Sequence, residues 1–125
     1  MNWQFNNDMP IYTQLVAQIK FAIVSGELPP GVKLPTVREL AAEAGVNPNT
    51  MQRAFAELER DELVYAQRSS GRFVTLEGDI IARAKLALAE AHIDSYIAAM
   101  RALGYGMEEM VQLLQSREED INDNT

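Results

Sequence analysis

The sequence lacks cysteine, has a single histidine and contains no long apolar run. Without cysteine there is no disulfide framework, no thiolate nucleophile and no cysteine-based zinc site, and one histidine leaves little for a histidine-rich metal centre. No stretch of about eighteen apolar residues occurs, and the start of the chain lacks the basic, apolar and cleavable regions of a secretory signal. We therefore expect a cytoplasmic protein with no metal, no other cofactor and no membrane partner.

Acidic residues outnumber basic residues, and the excess is distributed unevenly along the chain. The 125 residues carry 11 basic and 18 acidic side chains, and the formal net charge of −7 argues against indiscriminate binding to nucleic acid or anionic membranes. Residues 1–76 hold seven basic and eight acidic side chains, a net charge of −1, whereas residues 77–125 hold four and ten, a net charge of −6. The acidic average therefore describes mainly the second part of the chain.

The length allows one compact domain with a small annex and excludes a multidomain enzyme. Catalysis would need a nucleophile with an oriented base or a pair of carboxylates, and the sequence shows no such set. We expect no enzymatic activity.

Two short helices joined by a tight turn are predicted in the first half of the chain. Thr36 and Glu39 have the spacing of a capping box, which begins a helix that Gly45 can end. Asn47 then caps a second helix with Pro48 at its first position. Two helices joined by so short a turn form a helix-turn-helix unit.

A further helix precedes this unit and a hairpin follows it. The apolar spacing over residues 11–23 predicts an amphipathic helix with Asp8 as its N-cap. The β-prone runs 63–66 and 72–76 flank a polar turn with glycine, which is typical of a hairpin. We call the hairpin, residues 63–76, the wing. Together these elements predict a winged helix-turn-helix domain over residues 9–76.

A long helix predicted over residues 78–103 is apolar on two opposite faces. Because a chain this short has few elements left to cover both faces, a second copy of the chain is the expected cover. This helix and a short one after it form a predicted dimerisation region, residues 77–117, followed by an acidic flexible tail, residues 118–125. Which face makes the dimer contact stays open; the candidate residues are Leu86, Leu88, Ile93, Ile97 and Met100.

The predicted fold class is therefore mainly α with a small β wing (α+β). It comprises an N-terminal winged helix-turn-helix and a C-terminal two-helix dimerisation annex.

The second helix of the helix-turn-helix places hydrogen-bonding side chains opposite its apolar face. Such a helix fits the major groove of B-DNA, and its N-terminal residues reach base edges. Arg38, near the start of the preceding helix, suits a phosphate contact, and Arg68 and Arg72 on the wing suit phosphate or the minor groove. The candidate DNA-binding residues are Lys33, Thr36, Arg38, Asn47, Asn49, Thr50, Gln52, Arg53, Arg68, Ser69, Gly71 and Arg72.

Several motifs in a fixed order resemble the winged-helix domain of the GntR family of bacterial transcription factors. They are Pro10-Ile11-Tyr12, Gly26-Glu27-Leu28-Pro29-Pro30-Gly31, Leu34-Pro35-Thr36-Val37-Arg38-Glu39-Leu40-Ala41, Gly45-Val46-Asn47-Pro48-Asn49-Thr50, Leu58-Glu59-Arg60-Asp61-Glu62-Leu63-Val64 and Gly71-Arg72-Phe73-Val74. The short helical remainder resembles the YtrA-like branch, whose members carry two helices for dimerisation and no large effector domain. The resemblance implies a homodimeric regulator, expected to be a repressor, whose partner is a two-fold symmetric double-stranded DNA operator.

The resemblance also implies roles for single residues. Arg38 matches an arginine that contacts operator DNA in the family, and Asn47, Asn49 and Thr50 match positions near phosphate and bases. Many members have basic residues where this chain has Pro48 and Gln52, and the wing carries Ser69 and Ser70 where members often have glycine and a basic residue. The operator sequence therefore does not follow by analogy.

Two other interpretations stay open. In one, the winged helix has lost DNA binding and the chain is a protein-interaction module, which retention on random duplex DNA at low salt would argue against. In the other, an unknown small-molecule effector binds between the long helix and the winged domain, which a ligand-dependent melting temperature would support.

Two isolated features are interpreted as structural. Trp3 and Phe5 are expected to form an apolar arm packed on helices rather than a ligand-stacking site. His92 is expected to be an ordinary surface or interface residue rather than a metal ligand.

Overall fold

The computed structural model describes residues 1–123, which fold into five helices and a two-stranded antiparallel sheet. The predicted fold class, mainly α with a small β wing, is confirmed. The chain divides into two compact units, Met1–Lys85 and Leu86–Thr125. In chain order the elements are α1 (Ile11–Val24), α2 (Val37–Ala44), α3 (Pro48–Arg60), β1 (Val64–Gln67), β2 (Gly71–Val74), α4 (Gly78–Ala102) and α5 (Met107–Asp123).

Local capping interactions set the ends of α2 and α3. The Thr36 hydroxyl accepts a hydrogen bond from the Glu39 amide at 3.1 Å, and the Glu39 carboxylate accepts one from the Thr36 amide at 3.2 Å. Gly45 ends α2 with a φ of 71°, in the left-handed region that glycine adopts without strain. The Asn47 side-chain oxygen accepts from the Asn49 amide at 2.7 Å at the start of α3. The predicted capping box and N-cap are confirmed.

The core of the first unit joins the three helices to the wing. Phe55, on the inner face of α3, is completely buried and is among the largest fully buried side chains. Because the core draws residues from every one of these elements, they are held together by shared apolar burial. The buried cluster contains Leu15, Val16, Ile19, Ile23, Leu34, Leu40, Ala41, Met51, Ala54, Phe55, Leu58, Leu63, Val64 and Val74.

The wing is anchored on both sides of β2. β1 and β2 pair with Tyr65 opposite Phe73, and the two rings stack with centroids 5.7 Å apart. On the other side of β2, the Val74 amide donates to the Val32 carbonyl at 3.0 Å. The hairpin is therefore part of the domain and its position is determined by neighbouring backbone.

The arm, residues 1–9, is tied to α1 by two glutamine side chains. The Gln14 carboxamide accepts from the Asn6 amide and donates to the Asn6 carbonyl, both at 2.9 Å. The Gln18 carboxamide accepts from the Gln4 amide at 3.0 Å and donates to the Gln4 carbonyl at 2.6 Å. Each glutamine thus binds the amide and the carbonyl of one arm residue, with an acceptor and a donor as a neighbouring strand would.

The aromatic residues of the arm pack on the chain's own core. Trp3 and Phe5 are stacked with ring centroids 6.2 Å apart, and both contact the buried cluster. The Trp3 indole N–H donates to the Glu43 carboxylate of α2 at 3.1 Å. The expected apolar arm is confirmed, and it joins α1 to α2.

The predicted N-cap of α1 is wrong. Pro10 is at the N-cap position and makes no side-chain capping hydrogen bond. Asp8 instead lies in the arm, where its amide donates to the Asn6 side chain at 3.0 Å. The path of the arm along α1, set by the glutamine contacts, places Asp8 two residues ahead of the cap.

Replacing Gln14 with alanine is expected to release the arm while α1 stays helical. Gln14 is only 9% exposed, and its loss removes hydrogen bonds to the Asn6 amide, the Asn6 carbonyl and the Met9 carbonyl, each worth about 0.5–1.5 kcal/mol. Limited proteolysis should show faster cleavage within residues 1–9. Gln4→Ala is the control, because Gln4 contacts Gln18 through its backbone amide and carbonyl, which alanine keeps. Equal cleavage rates in the two variants would contradict the role of Gln14.

The second unit pairs α5 with the C-terminal half of α4. The Tyr96 hydroxyl donates to the Met110 carbonyl at 3.2 Å, and the Met110 side chain is buried. Leu86 and Ile93, earlier on α4, remain 58% and 54% exposed. The described part of this unit therefore leaves much of its apolar surface open to solvent.

The helix α5 is longer than predicted. Residues 118–123, assigned from sequence to a flexible acidic tail, are helical. Ile121 continues the apolar spacing of Leu114, Glu118 and Glu119 are good helix formers, and residues 118–123 contain neither glycine nor proline, so nothing ends the helix at residue 118. The last two positions of the predicted tail, 124 and 125, lie outside the described residues.

Among residues 1–123, no helix is both long and apolar enough to cross a bilayer.

Candidate nucleic-acid interface

The start of α3 presents polar side chains to solvent. Asn49, Gln52 and Arg53 are exposed and Thr50 is half-buried, whereas the opposite face of the helix is buried in the core. These residues occupy the first two turns, the part of a recognition helix that reaches base edges. Carboxamide, hydroxyl and guanidinium groups supply both donors and acceptors, so this end of α3 can read bases.

Four of the candidate cations have no ion pair within residues 1–123: Lys33, Arg38, Arg53 and Arg68. All four are exposed. Arg38 lies in the first turn of α2, where unpaired backbone amides also favour an anion. Unpaired cations in a chain with a net charge of −7 are available to neutralise phosphate.

Arg72 already has a partner. Its Nε donates to the Glu59 carboxylate of α3 at 2.6 Å, and its guanidinium carbon lies 5.4 Å from the Phe55 ring centroid. The half-buried Arg72 side chain therefore joins the wing to α3. A DNA contact by Arg72 would use its remaining guanidinium N–H groups.

The candidate residues Thr36 and Asn47 serve as helix caps. The Thr36 hydroxyl oxygen and the Asn47 carboxamide oxygen each accept a backbone amide. The Thr36 hydroxyl proton and the Asn47 N–H groups remain as donors that could meet phosphate. Their contact with DNA stays a prediction.

The turn of the wing brings together four of the predicted residues. Ser69 has a φ of 67° and Gly71 a φ of 110°, both in the left-handed region. A Cβ at position 71 would lie 3.1 Å from the Lys33 Cε, so the Lys33 side chain runs against this glycine. Lys33 therefore reaches the turn that also carries Arg68, which concentrates positive charge there.

Sequence reasoning did not assign a role to Tyr12 or Glu59. The guanidinium carbon of Arg53 lies 3.7 Å from the centroid of the Tyr12 ring on α1. Glu59 pairs with Arg72 across α3 and β2. Both contacts depend on how elements pack. For Tyr12 the sequence offers one local signal, an aromatic side chain beside the apolar stripe of α1. For Glu59 it offers none.

The residues predicted to form the dimer contact differ in exposure. Leu86 and Ile93 are exposed, and Leu88, Ile97 and Met100 are half-buried. Exposed large apolar side chains such as Leu86 and Ile93 can contribute to a protein interface where they form a patch. The large apolar side chains left exposed in the described second unit are Leu86, Ile93, Leu103, Tyr105, Met107, Val111, Leu113, Leu114 and Ile121.

The first unit, with its capped helix-turn-helix, its exposed α3 N-terminus and its anchored hairpin, is a winged helix-turn-helix domain. The model of the bacterial regulatory proteins of the gntR family matches residues 11–74. The chain belongs to the GntR family.

Two bacterial relatives match nearly the whole chain. The HTH-type transcriptional regulator YhcF of Bacillus subtilis is 39% identical over 112 residues, which cover 90% of this chain and 93% of YhcF. The HTH-type transcriptional repressor YtrA of the same organism is 29% identical over 113 residues, which cover 90% of this chain and 87% of YtrA. The resemblance to the YtrA-like branch is confirmed.

Solved structures share the fold. A GntR family transcriptional regulator from Listeria monocytogenes has a TM-score of 0.83 at 37% identity, covering 90% of this chain and 98% of that one. The structure of AraR(DBD) in complex with operator ORX1 has a TM-score of 0.54 at 30% identity, covering 58% of this chain and 93% of that one.

Proposed function

We propose that the protein is a sequence-specific transcription regulator that binds a two-fold symmetric operator as a homodimer and represses transcription. The observation that carries the proposal is the start of α3, where Asn49, Gln52 and Arg53 are exposed and Arg38 of α2 is unpaired. Membership in the GntR family and the solved AraR(DBD) operator complex support DNA as the partner.

The start of α3 enters the major groove in this proposal. There Gln52 and Arg53 meet base edges, and a bidentate contact from either would discriminate against the wrong base by about 1–3 kcal/mol. Arg38, Lys33 and Arg68 contact phosphate, which positions the domain on the duplex without reading sequence. Arg72 acts mainly through Glu59, by fixing the wing against α3.

Dimerisation rests on the exposed apolar surface of the second unit. A homodimer with two-fold symmetry places two copies of α3 in successive major grooves, so the half-sites should be one helical turn, about 34–36 Å, apart. The YtrA relative, whose name describes a repressor, supports the sign of regulation. The protein then acts in the cytoplasm, where the chromosome is, and needs neither catalysis nor a cofactor.

The charge distribution supports specific over nonspecific binding. The near-neutral residues 1–76 present unpaired cations locally, whereas residues 77–125, with a net charge of −6, are repelled by phosphate. Affinity for random duplex at physiological salt should therefore be weak, and binding should depend on the cognate site.

Replacing Arg38 with alanine is expected to weaken binding to cognate and random duplexes alike. Loss of one phosphate contact should reduce the magnitude of the slope of log K against log salt concentration by about 0.9. Fluorescence anisotropy over a salt series measures both quantities.

Arg60→Ala is the matched control, because Arg60 is an exposed arginine at the opposite end of α3. An unchanged salt slope in Arg38→Ala, or the same loss in both variants, would show that the start of α2 does not face the DNA backbone.

A further inference from the structure

We propose that Tyr12 is a positioning residue for DNA recognition: its ring holds the Arg53 guanidinium in place before DNA binds. The inference rests on the proposed DNA-binding function and deepens it. It assigns a role in recognition to α1, the helix that precedes the helix-turn-helix.

The geometry is that of a cation held over an aromatic face. The guanidinium carbon of Arg53 lies 3.7 Å from the Tyr12 ring centroid, well inside the range of about 6 Å over which such pairs attract. Tyr12 is half-buried and packs against the core, whereas Arg53 is exposed. The ring is thus fixed by the core and the cation is free to bind a ligand.

Stacking leaves the hydrogen-bonding capacity of Arg53 intact. The five N–H groups of a guanidinium lie in its plane, so a ring on one face does not occupy them. No ion pair within the described residues competes for Arg53. Its planar fork therefore remains available for the bidentate contact with a guanine edge or a phosphate.

The stack lowers the entropic cost of recognition. A free arginine side chain on a helix surface samples many rotamers, and binding DNA would have to select one of them. With Tyr12 beneath it, Arg53 is restricted before association. The expected gain is about three- to tenfold in affinity, the range of a partly exposed cation–π pair.

The Tyr12 hydroxyl provides a sharp test of this role. It makes no hydrogen bond among the described residues of the chain. Tyr12→Phe therefore keeps the ring and its stack, whereas Tyr12→Leu keeps apolar bulk and removes the stack. If the hydroxyl itself bound phosphate, Tyr12→Phe would lose affinity, and the inference would be wrong.

The probes are the duplex that the wild-type chain enriches from a random pool and a scrambled duplex of the same length and composition. Tyr12→Leu should bind the enriched duplex about three- to tenfold more weakly, and Tyr12→Phe should bind within about twofold of wild type. Phe21→Leu is the matched control, because it removes an aromatic ring from α1 at a position 65% exposed to solvent.

Two further readouts separate positioning from a general structural effect. In the Arg53→Ala background, Tyr12→Leu should cause no additional loss, because the tyrosine acts through the arginine. In NMR spectra of the free protein, the Arg53 δ protons should be shifted upfield by the ring in wild type and Tyr12→Phe, and not in Tyr12→Leu.

Full additivity of the two substitutions, an unshifted Arg53 signal in wild type, or tighter binding by Tyr12→Leu would each overturn the inference. Tighter binding would mean that the ring withholds Arg53 from DNA. If the wild-type chain enriches no duplex, the proposed DNA-binding function fails as well. If the wild-type chain enriches a duplex but the Tyr12 variants behave otherwise than expected, only the role of Tyr12 fails.

Discussion

The Ile93→Glu variant is expected to sediment as a monomer and to bind its operator about 10²–10⁴-fold more weakly than wild type. Ile93 is 54% exposed on α4 and lies on the same face as Leu86, the other exposed candidate for the dimer contact. A glutamate there would place an unpaired charge in an apolar interface, which is costly. Without the dimer, the second half-site no longer benefits from the high effective concentration that linkage provides.

His92→Glu is the control for this prediction. It introduces the same side chain one residue away, at an exposed position on the flank between the two apolar faces of α4. Sedimentation at micromolar concentration and circular dichroism measure assembly and folding separately. A folded Ile93→Glu variant that still sediments as a dimer would place the interface elsewhere, for example on the face that carries Leu88.

The Phe55→Ala variant is expected to lose about 3–5 kcal/mol of unfolding free energy, the usual cost of truncating a buried phenylalanine. Phe55 is completely buried in the core of the first unit, and the Arg72 guanidinium lies 5.4 Å from its ring centroid. A small domain has only about 5–15 kcal/mol to lose. Thermal unfolding should therefore occur at least roughly 12 °C lower, and operator binding at 37 °C should fall with the folded fraction.

Phe21→Ala serves as the comparison, since Phe21 is the same residue type left 65% exposed on α1. Its unfolding free energy should change by less than about 0.5 kcal/mol. Similar losses in the two variants would mean that α3 is not the centre of the core.

Local signals were enough to predict the helix-turn-helix. The capping box at Thr36 and Glu39, the glycine at position 45 and the Asn47 cap each act within a few residues, so the sequence pattern determines them directly. The wing was also predicted from local signals. Its strands, 64–67 and 71–74, lie within two residues of the expected ends.

Contacts between distant residues could not be predicted in this way. The Tyr12 ring meets Arg53 only because α1 packs against α3, and Glu59 meets Arg72 only because β2 lies beside α3. These two pairs determine which arginines of the candidate site have a partner within the chain. Arg53 is held in place, and Arg72 is committed largely to fixing the wing.

The ends of the helices were the weakest predictions. Asp8 has the chemistry of an N-cap, but the glutamine contacts of the arm place it outside the first turn of α1. The acidic stretch 118–123 lacks a strong apolar pattern, yet it contains no residue that stops a helix, and α5 continues through it. In both cases a weak local preference gave way to the neighbouring structure.

Selection of bound duplexes from a random pool tests the central claim most directly, because it measures DNA binding and operator symmetry together. The account predicts enrichment of a two-fold symmetric sequence whose half-sites are separated by about one helical turn. Enrichment of no sequence, or of a single half-site with no symmetric partner, would contradict a homodimeric operator-binding regulator.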